Sequence, residues 1–139
     1  MGCNCGHYSF ALADWSAYGH GVDSDANCIN VAALIKDNLD FTEVNFYCKE
    51  LTDFNLEFYD VVLFLSTYQW LVQQKGLDMA NGFLTRLSEK CEMMFFETSG
   101  SDSKAPLPEA NDYDWIVKQL NDNGWVVKEK ELLFSDVGG

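Results

Sequence analysis

The sequence predicts an α/β fold on an open, mostly parallel sheet, and three observations carry that expectation. Apolar stretches of strand length alternate with stretches whose apolar residues recur at helical spacing, the order that parallel strands with crossover helices require. One stretch, Tyr59-Asp-Val-Val-Leu-Phe-Leu, is nearly continuous in apolar residues, which suits a strand covered on both faces. Acidic or polar residues (Asp23, Glu50, Ser66 and Glu97) follow the strand-like runs, at the carboxyl ends where such sheets bind ligands.

The elements follow in order. Gly2-Cys-Asn-Cys-Gly6 is a glycine-rich turn, Ser9 to Trp15 reads as a helix, and Ala17 to Val22 reads as a short strand ending at Asp23. From Asp25 a helix is expected, with Cys28, Val31, Ala32 and Ile35 at i, i+3, i+4 and i+7 forming its apolar face until Asn38 and Asp40 stop it. Val44 to Cys48 is a second strand, leading to Glu50 and Leu51. After the central run from Tyr59 come Ser66-Thr-Tyr-Gln-Trp-Leu, then an amphipathic segment in which Leu77, Ala80, Leu84, Leu87 and Cys91 keep helical spacing. Met93 to Phe96 is the next buried strand, closed by Glu97, and Ser99 to Pro108 is a loop. Tyr113, Ile116, Val117 and Leu120 mark a helix ending at Asn123-Gly124, and Trp125 to Phe134 reads as strand.

At 139 residues the chain suits a single domain, 1–139, and its 47% apolar content is ordinary for a globular protein. Nine basic residues against 22 acidic ones give a net charge of −13, a surface that repels a phosphate backbone, so no nucleic-acid partner is expected. The longest apolar run is too short to cross a bilayer and no leader pattern opens the chain, so a cytoplasmic protein with no membrane partner is expected. Five cysteines, an odd count without framework spacing, imply reduced thiols. Cys3, Cys5 and His7 lack a second ligand pair downstream, so no metal site is expected. His7 reads as capping or packing the turn, and His20 as structural.

A glycine turn followed by an acid at a strand end is what a nucleoside-binding crossover needs: close backbone approach, and a carboxylate for ribose hydroxyls. The glycines Gly2 and Gly6, with Asn4 between them, do not make the Gly-x-Gly-x-x-Gly of nicotinamide-dependent oxidoreductases. The order and spacing resemble instead the class I S-adenosylmethionine-dependent methyltransferases. Gly-Cys-Asn-Cys-Gly-His-Tyr-Ser-Phe is similar to that family's glycine motif, Gly-Val-Asp-Ser-Asp to its ribose-binding motif, and Tyr-Asp-Val-Val-Leu-Phe-Leu-Ser to its fourth strand. The stretch from Phe64 to Thr98 is similar to the methyltransferase domains that accompany kinase modules in polysaccharide chain termination, and to phage relatives.

The resemblance implies a Rossmann-like, mostly parallel twisted sheet with helices on both faces. It also implies methyl transfer from S-adenosylmethionine, with S-adenosylhomocysteine as product, to a small-molecule or saccharide acceptor at oxygen or nitrogen. Gly2, Asn4 and Gly6 would border the methionine moiety, Asp23 and Ser24 the ribose, Glu50 and Leu51 the adenine, while Ser66 would face the cofactor. Glu97, Tyr68 and Gln69 are the candidates for acceptor chemistry, Glu97 as general base and the other two, with Trp70, as the acceptor pocket. Each has a plainer reading: strand-end carboxylates in solvent, and aromatic side chains packing a helix entry. Relatives carry a histidine pair at Gln69-Trp70, an apolar strand before the glycine turn and a final antiparallel strand. The expected sheet therefore lacks its first and last strands, and a homo-oligomer in which another chain fills the gap is one expectation. A non-catalytic nucleoside-binding or scaffold domain is the alternative.

Overall fold

The computed structural model describes residues 1–15, 18–98 and 113–129. Helix α1 (His7–Ala13) follows the glycine turn, and strand β1 (Gly19–Asp23) leads into α2 (Ala26–Leu39). Strand β2 (Val44–Cys48), a single 3-10 turn (Leu51–Asp53) and β3 (Tyr59–Leu65) come next, then α3 (Tyr68–Lys75), α4 (Leu77–Ser88), β4 (Cys91–Glu97) and α5 (Tyr113–Asp122). Asp25 starts α2 by accepting the Asn27 amide at 2.8 Å, and Asp40, at φ 57°, ends it in the left-handed conformation that stops a helix.

The strands form two parallel pairs. β1 runs beside β2 in the register Gly19↔Val44 to Asp23↔Cys48, and β3 beside β4 from Tyr59↔Cys91 to Leu65↔Glu97. Met1 to Cys3 lie between the pairs at their carboxyl ends: the Met1 nitrogen donates to Leu63 O at 2.9 Å and the Cys3 amide to Val22 O at 3.0 Å. Toward the amino ends side chains span the same space, with His20 Nδ1 and the Tyr59 hydroxyl sharing a hydrogen bond of 2.9 Å and the Tyr47 ring edge-on to His20 at 5.2 Å. His20 is structural, as expected. Parallel pairing and alternating helices are those of the expected α/β sheet.

One core unites both pairs. Val22, Val62 and Phe64 pack with Leu71, Ala80, Phe83, Leu84 and Leu87 of α3 and α4 and with Ile116 and Leu120 of α5. Phe64 sits between the rings of Phe83 and Phe96, at 5.8 and 5.9 Å. On the other face of β1 and β2, Phe10 of α1 packs on Phe46 at 5.2 Å.

Four expectations need correction. Val61, Met93 and Phe95 are exposed, so among the described residues β3 and β4 are covered on the Val62 and Phe64 side alone, where α3, α4 and α5 all lie. The buried stripe of α2 is centred on Ile29 and Ala32, leaving Val31 exposed. Cys91 opens β4 opposite Tyr59 instead of closing the helix, because α4 ends at Ser88. Residues 125–129 form no strand; the Trp125 indole donates to Leu84 O at 3.0 Å and packs on the core. The loop expected at Ser99 to Pro108 and the rest of the last expected strand, 130–134, lie outside the described residues.

Candidate functional site

The glycine turn owes its path to three residues of positive φ: Gly2 at 62°, Asn4 at 50° and Gly6 at 89°. At Gly2 a Cβ would lie 2.3 Å from Thr67 Oγ1, and at Gly6 2.8 Å from the Phe46 ring, so both must be glycine for the turn to nest against β3's end and β2. Asn4 adopts the same region and offsets its cost through its side chain, whose Oδ1 accepts the Cys5 amide at 2.7 Å and the Cys28 thiol at 3.4 Å.

Asp23 joins the turn to the sheet. Its Oδ2 accepts the Asn4 amide at 2.8 Å and its Oδ1 the Asp25 amide at 2.9 Å. The carboxylate thus positions both the glycine turn and the start of α2. With about four lone-pair sites and two in use, it keeps acceptor capacity for hydroxyl groups. The sequence did not show this tie, because nothing in it reveals where a turn's unpaired amides point. Ser24 is exposed, and its carbonyl accepts the Cys48 thiol at 3.7 Å.

Beyond β2, Glu50 lies 3.5 Å from Lys75 Nζ, an exposed pair worth at most about 1 kcal/mol. Leu51 belongs to the buried core. Beyond β3, Ser66 has a φ of 49°; its amide donates to Glu97 O at 2.9 Å and its hydroxyl to Glu97 Oε1 at 3.1 Å. Glu50, Asp23, the glycine turn, Ser66 and Glu97 therefore stand in a row along one edge, in the strand order β2, β1, β3, β4.

Two acceptor-pocket candidates point inward. Tyr68 is wholly buried, packs on Phe96, and donates its hydroxyl to Asn81 Oδ1 at 2.7 Å; burial pushes its pKa up to about 12. Gln69, 1% exposed, accepts the Thr98 hydroxyl at 3.4 Å beside Glu97. The α3 entry is core packing for Tyr68, and only Trp70 of the three faces solvent. Among the described residues no group of three or more His, Cys, Asp or Glu could hold a metal, and His7 is exposed at the start of α1. A hollow of about 340 Å³ lined by Lys36, Asp37, Asp40, Phe41 and Thr42 lies at the opposite, amino end of β2 and contains none of these residues.

No protein-family model and no curated protein sequence matches the chain. Solved structures do. The bifunctional kinase-methyltransferase WbdD is 28% identical over 74% of this chain, with a TM-score of 0.66. Magnesium protoporphyrin IX methyltransferase from Synechocystis PCC 6803, a structure with bound S-adenosylmethionine, superposes on 96% of the chain at TM-score 0.70 and 20% identity. The fold is that of the S-adenosylmethionine-dependent methyltransferases. A methyltransferase from Aquifex aeolicus shares it, with a TM-score of 0.69, 17% identity and 92% of this chain covered. The chain spans 24% of the length of WbdD, 61% of the Synechocystis enzyme and 71% of the Aquifex one. Among the described residues no helix is long and apolar enough to cross a membrane.

Proposed function

We propose that this methyltransferase-fold chain binds S-adenosylmethionine at the glycine turn and transfers its methyl group to a hydroxyl or amine of a small molecule or saccharide. The observation that carries the reading is the bond from the Asn4 amide to Asp23: a turn free of Cβ atoms at Gly2 and Gly6 is fastened beside a carboxylate with acceptor capacity to spare. Bound there, the cofactor supplies an electrophilic methyl group on a cationic sulfur. Asp23 would accept the ribose hydroxyls, Ser24 would border the ribose, Glu50 the adenine, and the backbone of Gly2 to Gly6 the methionine moiety. The acidic edge from Glu50 to Glu97 complements the sulfonium charge.

The protein's part in such an in-line displacement is to align the acceptor and, where needed, to take its proton. Glu97 would take the proton: it closes β4, and its carboxylate accepts the Ser66 hydroxyl at 3.1 Å. The free cysteines suit a reducing, cytoplasmic setting. Calorimetric titration with S-adenosylmethionine tests the reading. Wild type should bind, and Asp23→Ala should bind at least about tenfold more weakly, the loss of about 1.4 kcal/mol or more expected for a hydrogen-bonded charged acceptor. Wild type giving no heat at millimolar ligand would overturn it. The inward turn of Tyr68 favours a second reading, a nucleoside-binding module without transfer, which binding without methylation of any acceptor would establish.

A further inference from the structure

Four of the five thiols (Cys3, Cys5, Cys28 and Cys48) belong to the turn, the first turn of α2 and the end of β2. Two of them share a partner. Cys28 Sγ lies 3.4 Å from Asn4 Oδ1, the oxygen that also accepts the Cys5 amide at 2.7 Å, so one side chain holds the Cys28 thiol beside the Cys5 backbone. Both are half-buried, held in place yet reachable by a small oxidant. The neighbouring thiols are turned elsewhere: Cys3 Sγ packs against the face of Gly21, and Cys48 reaches the Ser24 carbonyl.

We propose that Cys5 and Cys28 form a reversible disulfide that fastens the glycine turn to α2 and lowers the affinity of the site for its nucleoside cofactor. The regulatory half rests on the cofactor reading above; the bond itself does not. With hydrogen peroxide as oxidant, the Cys5 sulfur attacks one peroxide oxygen, the O–O bond breaks, and the departing hydroxide takes the thiol proton as water. Cys28 sulfur then attacks the resulting sulfenic acid, the S–S bond forms, the S–O bond breaks, and hydroxide leaves with the Cys28 proton as a second water. Cys28, whose pKa is pushed up to about 11 by desolvation first and then by neighbouring Cys5 and Asp25, suits the second step, in which a thiol resolves the sulfenic acid. Closing to an S–S length near 2.05 Å draws Cys28 Sγ away from Asn4 Oδ1 and pulls the turn toward the helix.

The test uses the full chain treated with a small excess of hydrogen peroxide, then alkylated, digested with chymotrypsin and mapped by mass spectrometry, alongside calorimetry with S-adenosylmethionine. The expected map shows Cys5 joined to Cys28, reversed by dithiothreitol and abolished in Cys28→Ser. The expected affinity is roughly tenfold weaker for the oxidised protein. A bond between other cysteines, thiols oxidised without any crosslink, or an oxidised protein of unchanged affinity would overturn the proposal. Reduced protein that binds no nucleoside would sink the cofactor reading and the regulatory half with it, while the map still decides the bond.

Discussion

A methyl group added at Gly2 would stand 2.3 Å from Thr67 Oγ1 on a backbone at φ 62°, so Gly2→Ala meets both a clash and left-handed strain of about 1–2 kcal/mol. Urea denaturation should show a loss of about 2 kcal/mol, of which Thr67→Ala returns about 0.5–1 kcal/mol; strict additivity would remove the contact from the account. Met1 gives a pH dependence. Its α-amine donates to Leu63 O, and desolvation lowers its pKa below the usual 8.0. The unfolded chain therefore binds more protons just below pH 8, and stability rises with pH there. Cys3 acts in the opposite sense above pH 9: desolvation raises its thiol from 9.0 to about 11, so the unfolded state loses the proton first and stability falls. Thermal melts from about pH 6.5 to 10 should pass through a maximum, and acetylating the amine should abolish the rising limb alone. At this scale the glycine turn and Asp23 were legible because backbone approach and strand-end charge leave marks in residue type. Leu51 and Tyr68 were not, since an apolar or aromatic residue after a strand reads the same whether it lines a pocket or fills a core.

At the scale of elements, β2 and the central β3 run match the sequence reading residue for residue, because apolar runs bounded by polar residues leave little choice of register. The failures have a common cause in periodicity. Cys91 follows Leu87 by four and so continues the helical pattern of α4, although its partner is Tyr59 across the β3–β4 pair. Val31 fits the apolar stripe of α2 in spacing, but α2 buries only a narrow face centred on Ile29 and Ala32. Substitutions should separate pattern from burial. Phe64→Ala, at a wholly buried position between two other rings, should cost about 3–5 kcal/mol in urea denaturation, whereas Val31→Ala should change stability by less than about 0.5 kcal/mol. Comparable losses at the two positions would mean that α2 packs by its sequence stripe after all.

The whole molecule carries a net charge of −13, and among the described residues the ion pairs of Glu50 with Lys75 and of Lys118 with Asp122 are both exposed. Self-repulsion on that scale destabilises a compact fold, while each exposed pair contributes at most about 1 kcal/mol. Adding salt shortens the screening length from about 30 Å at 0.01 M to about 10 Å at 0.1 M, which weakens repulsion across the molecule more than attraction within two short pairs. The melting temperature should therefore rise by a few degrees over that range, on the order of 1 kcal/mol. Binding of a cationic sulfonium nucleoside to the acidic edge should respond with the opposite sign, because screening removes the long-range attraction that the same charges provide. Calorimetry and melts in one salt series check both at once. A melting temperature that falls with salt would show the acidic residues to be locally compensated, and affinity that strengthens with salt would place the ligand away from the edge formed by Glu50, Asp23 and Glu97.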